Sequence, residues 1–377
     1  DVEKISFEYG LKVAQAIEGE WFDKDNNANR YIHNRNNFHN LRLYARGEQS
    51  IDKYKNELSI NGDLSYLNLD WKPVPIIPKF VDIVVNGIAE RLYDVKVFAQ
   101  DPFGVSKRTQ YMGKIMEDMR TKDLKNFVKE QFGMDLFNKS PDLLPDSQEE
   151  LDLHMQLDYK QAVEIAEEQA INTLLEGNRY ELIRKRFYYD LTVLGIGAVK
   201  TSFNTSEGVT VDYVDPAKLV YSHTEDPYFE DIYYVGEVKT IPVNEIIKQF
   251  PHLTQEDLKE ITDYNNGTSG KYETNRMREG DNDKNKIRVL YFNYKTYMSE
   301  VYKLKQTASG AEKAIEKDDT FNPPDNMESN FSRESRKIEC LYDGALILGT
   351  KKLIKWEMAK NMMRPKSDFT KVRVFSW

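Results

Sequence analysis

Residues 187–231 read FYYDLTVLGIGAVKTSFNTSEGVTVDYVDPAKLVYSHTEDPYFED, and no other part of the chain constrains the fold as tightly. The segment holds a helix end, a glycine pair, a hairpin, a Val214-Asp215-Pro216 corner and a second corner at Asp226-Pro227. Residues 198–203 and 209–214 alternate around Ser206-Glu207-Gly208, which predicts two antiparallel strands joined by a tight turn. Gly195-Ile196-Gly197 has part of a dinucleotide-loop pattern, but the third glycine is missing and no phosphate-binding Lys-Ser/Thr follows. The pair also closes a helix instead of opening one, so a helix C-cap running into a strand is the expected structure. Helices that feed antiparallel strands through such corners point to an α+β fold.

The flanking segments extend this pattern. Residues 1–60 read as polar helices, with Trp21, Phe22, Tyr31, Phe38, Leu41, Leu43 and Tyr44 at roughly helical spacing and a turn at Gly47. Residues 60–78 are loop or short strand, punctuated by Pro73, Pro75 and Pro78. A helix is predicted over 79–92; Phe80, Val81, Ile83, Val84, Val85, Ile88, Ala89 and Leu92 cover more than one face, so it is expected to be deeply buried. A strand over 95–99 follows, then polar helices over 103–157 with breaks at Gly133, Pro141 and Pro145. A long amphipathic stretch over 157–194 breaks at Gly177-Asn178. Beyond the opening segment come a strand over 232–239, a short helix over 243–250 and a helix capped near Thr254. Residues 264–285 read as a linker and 306–335 as a long polar insertion. Strands are expected over 286–294, 297–303, 337–342, 345–348 and 371–375, with Asp343-Gly344 as a hairpin turn. No internal repeat is visible.

Chemistry is sparse in this sequence. The histidines (His33, His39, His154, His223 and His252) form no metal-ligand spacing and read as polar surface residues. Cys340 is the single cysteine; it lies in a strand pattern and reads as a buried, inert thiol. It excludes an internal disulfide framework and a cysteine-rich zinc site, and implies assembly in a reducing cytoplasm. There is no serine elbow, no HExxH and no acid cluster with metal spacing, so no catalytic residue, cofactor or metal ligand is expected. No window is long and apolar enough to span a membrane. The chain starts at Asp1 without a signal-peptide plan, which suggests processing or a piece of something longer.

Charge is uneven. Residues 286–377 hold 18 Lys+Arg against 12 Asp+Glu, a net of +6, and residues 1–285 hold 35 against 50, a net of −15. An acidic first part argues against a tight sequence-independent DNA clamp. With 377 residues, two or three domains are expected. The 23 tyrosines suit interfaces as well as cores.

The ordered succession of segments is similar to one known family. Leu43-Tyr44-Ala45-Arg46-Gly47-Glu48-Gln49 leads to Pro78-Lys79-Phe80-Val81-Asp82-Ile83-Val84-Val85-Asn86-Gly87. Then come Tyr188-Tyr189-Asp190-x-x-x-Leu194-Gly195-x-Gly197, Val214-Asp215-Pro216, Asp231-Ile232-Tyr233-Tyr234-Val235 and Thr240-Ile241-Pro242-Val243-Asn244-Glu245-Ile246, ahead of Gln249-Phe250-Pro251. Over about residues 40–377 this resembles the portal proteins of tailed double-stranded DNA bacteriophages, most of all those of crAss-like phages. The resemblance implies a non-enzymatic structural protein: a ring of twelve subunits at one capsid vertex, with a mixed helical and β wing, a helical stem and a β-rich clip. By that analogy residues 1–242 are wing, 243–285 the stem approach or linker, and 286–377 clip. The chain departs from the family in lacking a second channel-lining stem helix and the C-terminal crown or barrel. Implied partners are further copies of the chain, the major capsid protein, a tail adaptor or head-to-tail connector, terminase during packaging, and the duplex DNA in the channel; no membrane is implied. The implied place is the virion, after assembly in the host bacterial cytoplasm. Lys295, Lys303, Lys351 and Lys355 are candidate partner contacts of the clip, and Arg46 and Gln49 candidate subunit-packing residues. An acidic channel would keep DNA centred, while a basic clip would dock acidic surfaces. Two alternatives stand beside this reading: another virion or adaptor protein with wing-like modules, and an unrecognised metal-dependent nuclease.

Overall fold

The computed structural model describes residues 1–22, 30–59, 70–71, 74–91, 93–133, 144–157, 159–204, 208–266, 286–306, 312–323, 331–350, 352–360, 362, 364, 368–372 and 377. It is a mixed helix-and-strand chain of the α+β kind, and it divides into two units. One comprises residues 1–89 with 183–377, the other residues 90–182.

The larger unit is organised by an antiparallel sheet. Its path runs β3 (Leu219–Tyr221), β4 (Tyr234–Pro242), β5 (Lys286–Gln306), β7 (Phe331–Ile347) and β8 (Lys352–Met358), and β6 (Glu312–Lys317) pairs with β5. Successive side chains point to opposite faces. Leu290 and Phe292 of β5 therefore share one face with Tyr342 and Leu346 of β7, and Ile287, Val289, Ala345 and Ile347 share the other. The first face is covered by helix α2 (Phe7–Phe22), which buries Ala14, Ile17, Trp21 and Phe22. Trp356 of β8 anchors this layer: its indole stacks on Tyr342 at 4.9 Å, and its N–H donates to the Lys4 carbonyl at 2.9 Å. The second face is covered by α11 (Val243–Gln249) and α12 (Gln255–Asn266) through Ile246, Phe250 and Ile261. Thr254 caps α12 as expected, exchanging backbone and side-chain bonds with Asp257.

The opening segment folds as its pattern predicts. Helix α10 (Tyr180–Leu194) stops where Gly195 takes φ 76°, a left-handed value that suits glycine at a helix end. Strands β1 (Ala198–Asn204) and β2 (Gly208–Val214) then pair antiparallel. The break at Gly177-Asn178 separates α10 from α9 (Ala162–Gly177). Cys340 is buried, which pushes its thiol up to about 11 and leaves it protonated at neutral pH.

Several expectations fail. The strands over 286–294 and 297–303 are one 21-residue strand, β5. The expected hairpin at Asp343-Gly344 lies inside the continuous strand β7, opposite Asn293 and Phe292. Gly344 serves packing there: a Cβ on it would run into the Phe292 ring. The reversal comes later, around Gly349, whose N–H donates to Glu18 Oε1 at 2.8 Å. The insertion expected over 306–335 contains β6 and the start of β7. The segments on either side of 243–285 meet in this sheet, where β4 pairs with residues 286–294 of β5. The expected linker lies largely outside the described residues, as do Pro141 and most of the strand over 371–375.

The smaller unit is helical: α6 (Pro102–Arg120), α7 (Lys122–Phe132), α8 (Gln148–Leu157) and α9. Asp101 caps α6 by accepting the Gly104 N–H, with Pro102 at the first position. Its core is thin: Ile115, Leu144, Leu151 and Met155, with Tyr111 and Tyr159 stacked beside them. No strand forms over 95–99. Carboxylates of α9 bind that backbone instead: Glu168 accepts from Val97 N–H at 3.0 Å and Glu164 from Ala99 N–H at 2.8 Å. Side-chain acceptors take the place of a neighbouring strand.

Candidate functional site

The Val-Asp-Pro corner is held by a cation that the sequence did not single out. Asp215 caps the turn at Pro216–Lys218 by accepting the Ala217 N–H at 3.1 Å. Its carboxylate also receives both terminal nitrogens of Arg42, at 2.7 and 3.3 Å. Arg42 lies on α3 (Arg30–Arg46), and its Nη2 also donates to Asp190 Oδ1 at 3.0 Å. Asp190 is 2% exposed, and its other oxygen accepts the Tyr213 hydroxyl. One guanidinium thus joins α3, α10, β2 and the corner in a forked arrangement that a lysine could not reproduce. Burial works against the Arg42 charge, but its bonds to Asp215 and Asp190 outweigh that and raise its pKa. Burial likewise opposes the Asp215 carboxylate, and the bonds from Arg42 and Ala217 hold it below its ordinary value.

Three of the four lysines proposed for partner contacts lie among the described residues. Lys295 and Lys303 both lie on β5, opposite Leu341 and Arg333. The Lys295 ammonium reaches the Glu230 carbonyl at 3.5 Å, and that of Lys303 lies 5.9 Å from the Phe321 ring centroid. Lys355, on β8, is partly exposed and pairs with Glu357 at 2.9 Å and Asp343 at 3.6 Å. Lys351 lies outside the described residues. The neighbouring Lys352 pairs with Asp257 and with Glu260 at 2.9 Å. Arg46 is exposed at the end of α3, and Gln49 holds a buried side-chain oxygen without a hydrogen-bond partner.

A feature with uncovered apolar area replaces an expected core. Helix α5 (Ile77–Ala89) was expected to be buried all round, but Val85 is its one buried residue. Phe80 and Ile83 are 61% and 58% exposed, with Ile76, Ile77 and Val84 exposed nearby. In the smaller unit α7 buries none of its residues and leaves Leu124, Phe127 and Phe132 exposed. Single exposed apolar residues are ordinary, whereas contiguous stripes on one helix mark interaction surfaces.

Among the described residues, no group of three or more His, Cys, Asp or Glu converges as a metal site, and no helix is long and apolar enough to cross a membrane. No family model matches the chain, and no curated protein matches it.

Proposed function

We propose that this chain is a structural subunit of a portal-type ring, the head-to-tail connector at one capsid vertex of a tailed phage. The observation that carries the reading is the uncovered stripe on α5, which neighbouring subunits of a ring would bury. Obligate assembly explains why a helix with a core-like sequence is bare in a single chain. The ordered segment pattern from Leu43 to Pro251 supports the same reading. On this proposal twelve copies surround a channel for duplex DNA. They meet the major capsid protein at the rim and terminase or a tail adaptor at the clip. Wing and clip then share one sheet, since β4 and β5 are paired. Lys355 already pairs with Glu357 and Asp343, so on this proposal adaptor docking does not rest on that residue.

Electron microscopy of the purified chain tests this directly. The expected image is a ring with a central hole wide enough for a DNA duplex, and the expected native mass is about twelve times 44.1 kDa. A monodisperse monomer in concentrated solution would overturn the reading.

A further inference from the structure

The far end of β5, β6 and the first half of β7 form a three-stranded arm in which charge is sorted by face. Residues 301–306 of β5 pair with β6 on one side, and residues 299–305 pair with 331–337 of β7 on the other, in unbroken register. Directly opposite residues point to the same face and successive ones to opposite faces. One face therefore carries Lys303 and Lys305 of β5, Lys313 and Lys317 of β6, and Arg333 and Lys337 of β7, with no acidic residue from these three segments. The other carries Glu300, Glu312, Glu316 and Glu334, with Arg336 as its one cation from the same segments. Arg336 pairs with Glu300 at 2.8 Å, and among the described residues the other three acids make no ion pair. Like charges meet across the strands: Lys305 lies opposite Lys313 and Lys303 opposite Arg333, while Glu316 and Glu334 flank Tyr302 from either side. Both faces reach solvent, since all of β6 and residues 332–337 of β7 are exposed. The basic face is covered at its base, where Val301 is buried. Near it, Arg333 donates to the Asp319 carbonyl and to Asn322 Oδ1, and the Asp319 carboxylate lies 3.0 Å from the Asp1 nitrogen.

We propose that this arm is a docking surface for a second copy of the chain, the basic face of one arm meeting the acidic face of the next. Like charges directly opposite one another destabilise a sheet, so this sorting is unfavourable within a single chain. It becomes favourable against a surface of opposite sign, and the arm carries such a surface on its own reverse side. The two faces share one set of strands, about 4.8 Å apart, so rows of cations and rows of acids have the same spacing when arms stack. A nucleic acid would engage the basic face alone and leave the acidic face unexplained, whereas a second copy accounts for both. The contact is heterologous: each copy presents a different face to each of its two neighbours, so it propagates until the rotation closes a ring. It uses residues other than those of α5 and does not rest on the portal reading.

The test is charge reversal of one face at a time in the full chain, read by sedimentation velocity. Lys313→Glu with Lys317→Glu disables the basic face, and Glu312→Lys with Glu316→Lys disables the acidic face. All four side chains are exposed, so both variants should melt with the parent. Each variant alone should need about tenfold or more higher concentration than the parent to associate. Mixed one to one, they should form heterodimers, because the first keeps its acidic face and the second its basic face. The parent's association should weaken on going from about 50 mM to about 500 mM salt, unlike an apolar contact through α5. Salt-sensitive oligomers that form no ring would support the arm contact and count against the portal reading. The proposal is overturned if either variant assembles like the parent, if the mixture gives no heterodimer, or if high salt leaves the parent's association unchanged. It is equally overturned if Lys313→Glu with Lys317→Glu abolishes binding of duplex DNA while association stays intact.

Discussion

The sheet of the larger unit and the helices of the smaller one handle apolar side chains in opposite ways. The sheet is covered on both faces by the chain's own helices, so Leu290, Val289, Leu346 and Ile354 all lose contact with water. Among its described residues the helical unit buries a core of four and leaves Phe103, Leu124, Phe127, Phe132 and Leu182 exposed. Helix α5 belongs to the larger unit but, like the helices of the smaller one, leaves most of its apolar residues exposed. The contrast separates a part whose apolar faces are covered by described residues of the chain from parts whose apolar side chains the described residues leave exposed. Burial contributes about 25 cal/mol per Å², so covering such exposed apolar side chains would be stabilising.

The largest effect is expected at the centre of the completed region. Trp356→Ala removes the ring stacked on Tyr342 and empties the space beneath α2. It should cost about 3–5 kcal/mol in chemical denaturation. If the loss is under about 1 kcal/mol, the sheet is not the stabilising core.

Arg42→Met comes next. It strands the buried Asp190 without its cation and should cost about 3 kcal/mol. The pH dependence has a defined sign. The folded pKa of Asp215 lies below its unfolded value, so this stabilisation is present above about pH 4 and is lost as pH falls through the folded pKa. The wild-type melting temperature should therefore fall on acidification below about pH 4, and the Arg42→Met variant should lose the part of that slope due to Asp215. Parallel acid profiles for the two chains would remove Arg42 from its assigned role.

The smallest effect on the free chain is expected on the bare helix. Phe80→Ser with Ile83→Ser should change its stability by about 0.5 kcal/mol or less, because both side chains are already in water. The same pair should abolish assembly in mass photometry. A double variant that forms rings as well as the parent would sever α5 from the proposed interface.

Local signals in the sequence were read correctly where the backbone itself carries them. Gly47, Gly133 and Gly195 all take positive φ at helix ends, and the expected strands pair antiparallel from Ala198 with Val214 to Asn204 with Gly208. Thr254 caps its helix because a short hydroxyl followed by an acid needs only the first turn to act. Asp343-Gly344 misled because the glycine is required by the Phe292 ring of a neighbouring strand, which a local pattern cannot contain. Arg42 was missed for the same reason: its partners, Asp190 and Asp215, are distant in sequence.

By itself, the sequence determined the α+β class, the helix ends, the β1–β2 hairpin, the buried thiol and the two corners, since each depends on local backbone preference or on side-chain period. Tertiary structure alone decided which apolar stripes are covered, how far β5 and β7 run, and which charges meet. Those outcomes depend on which surfaces come together across the chain. An apolar stripe states that something must cover it; only the packed fold reveals that, on α5, the described residues leave Phe80 and Ile83 exposed.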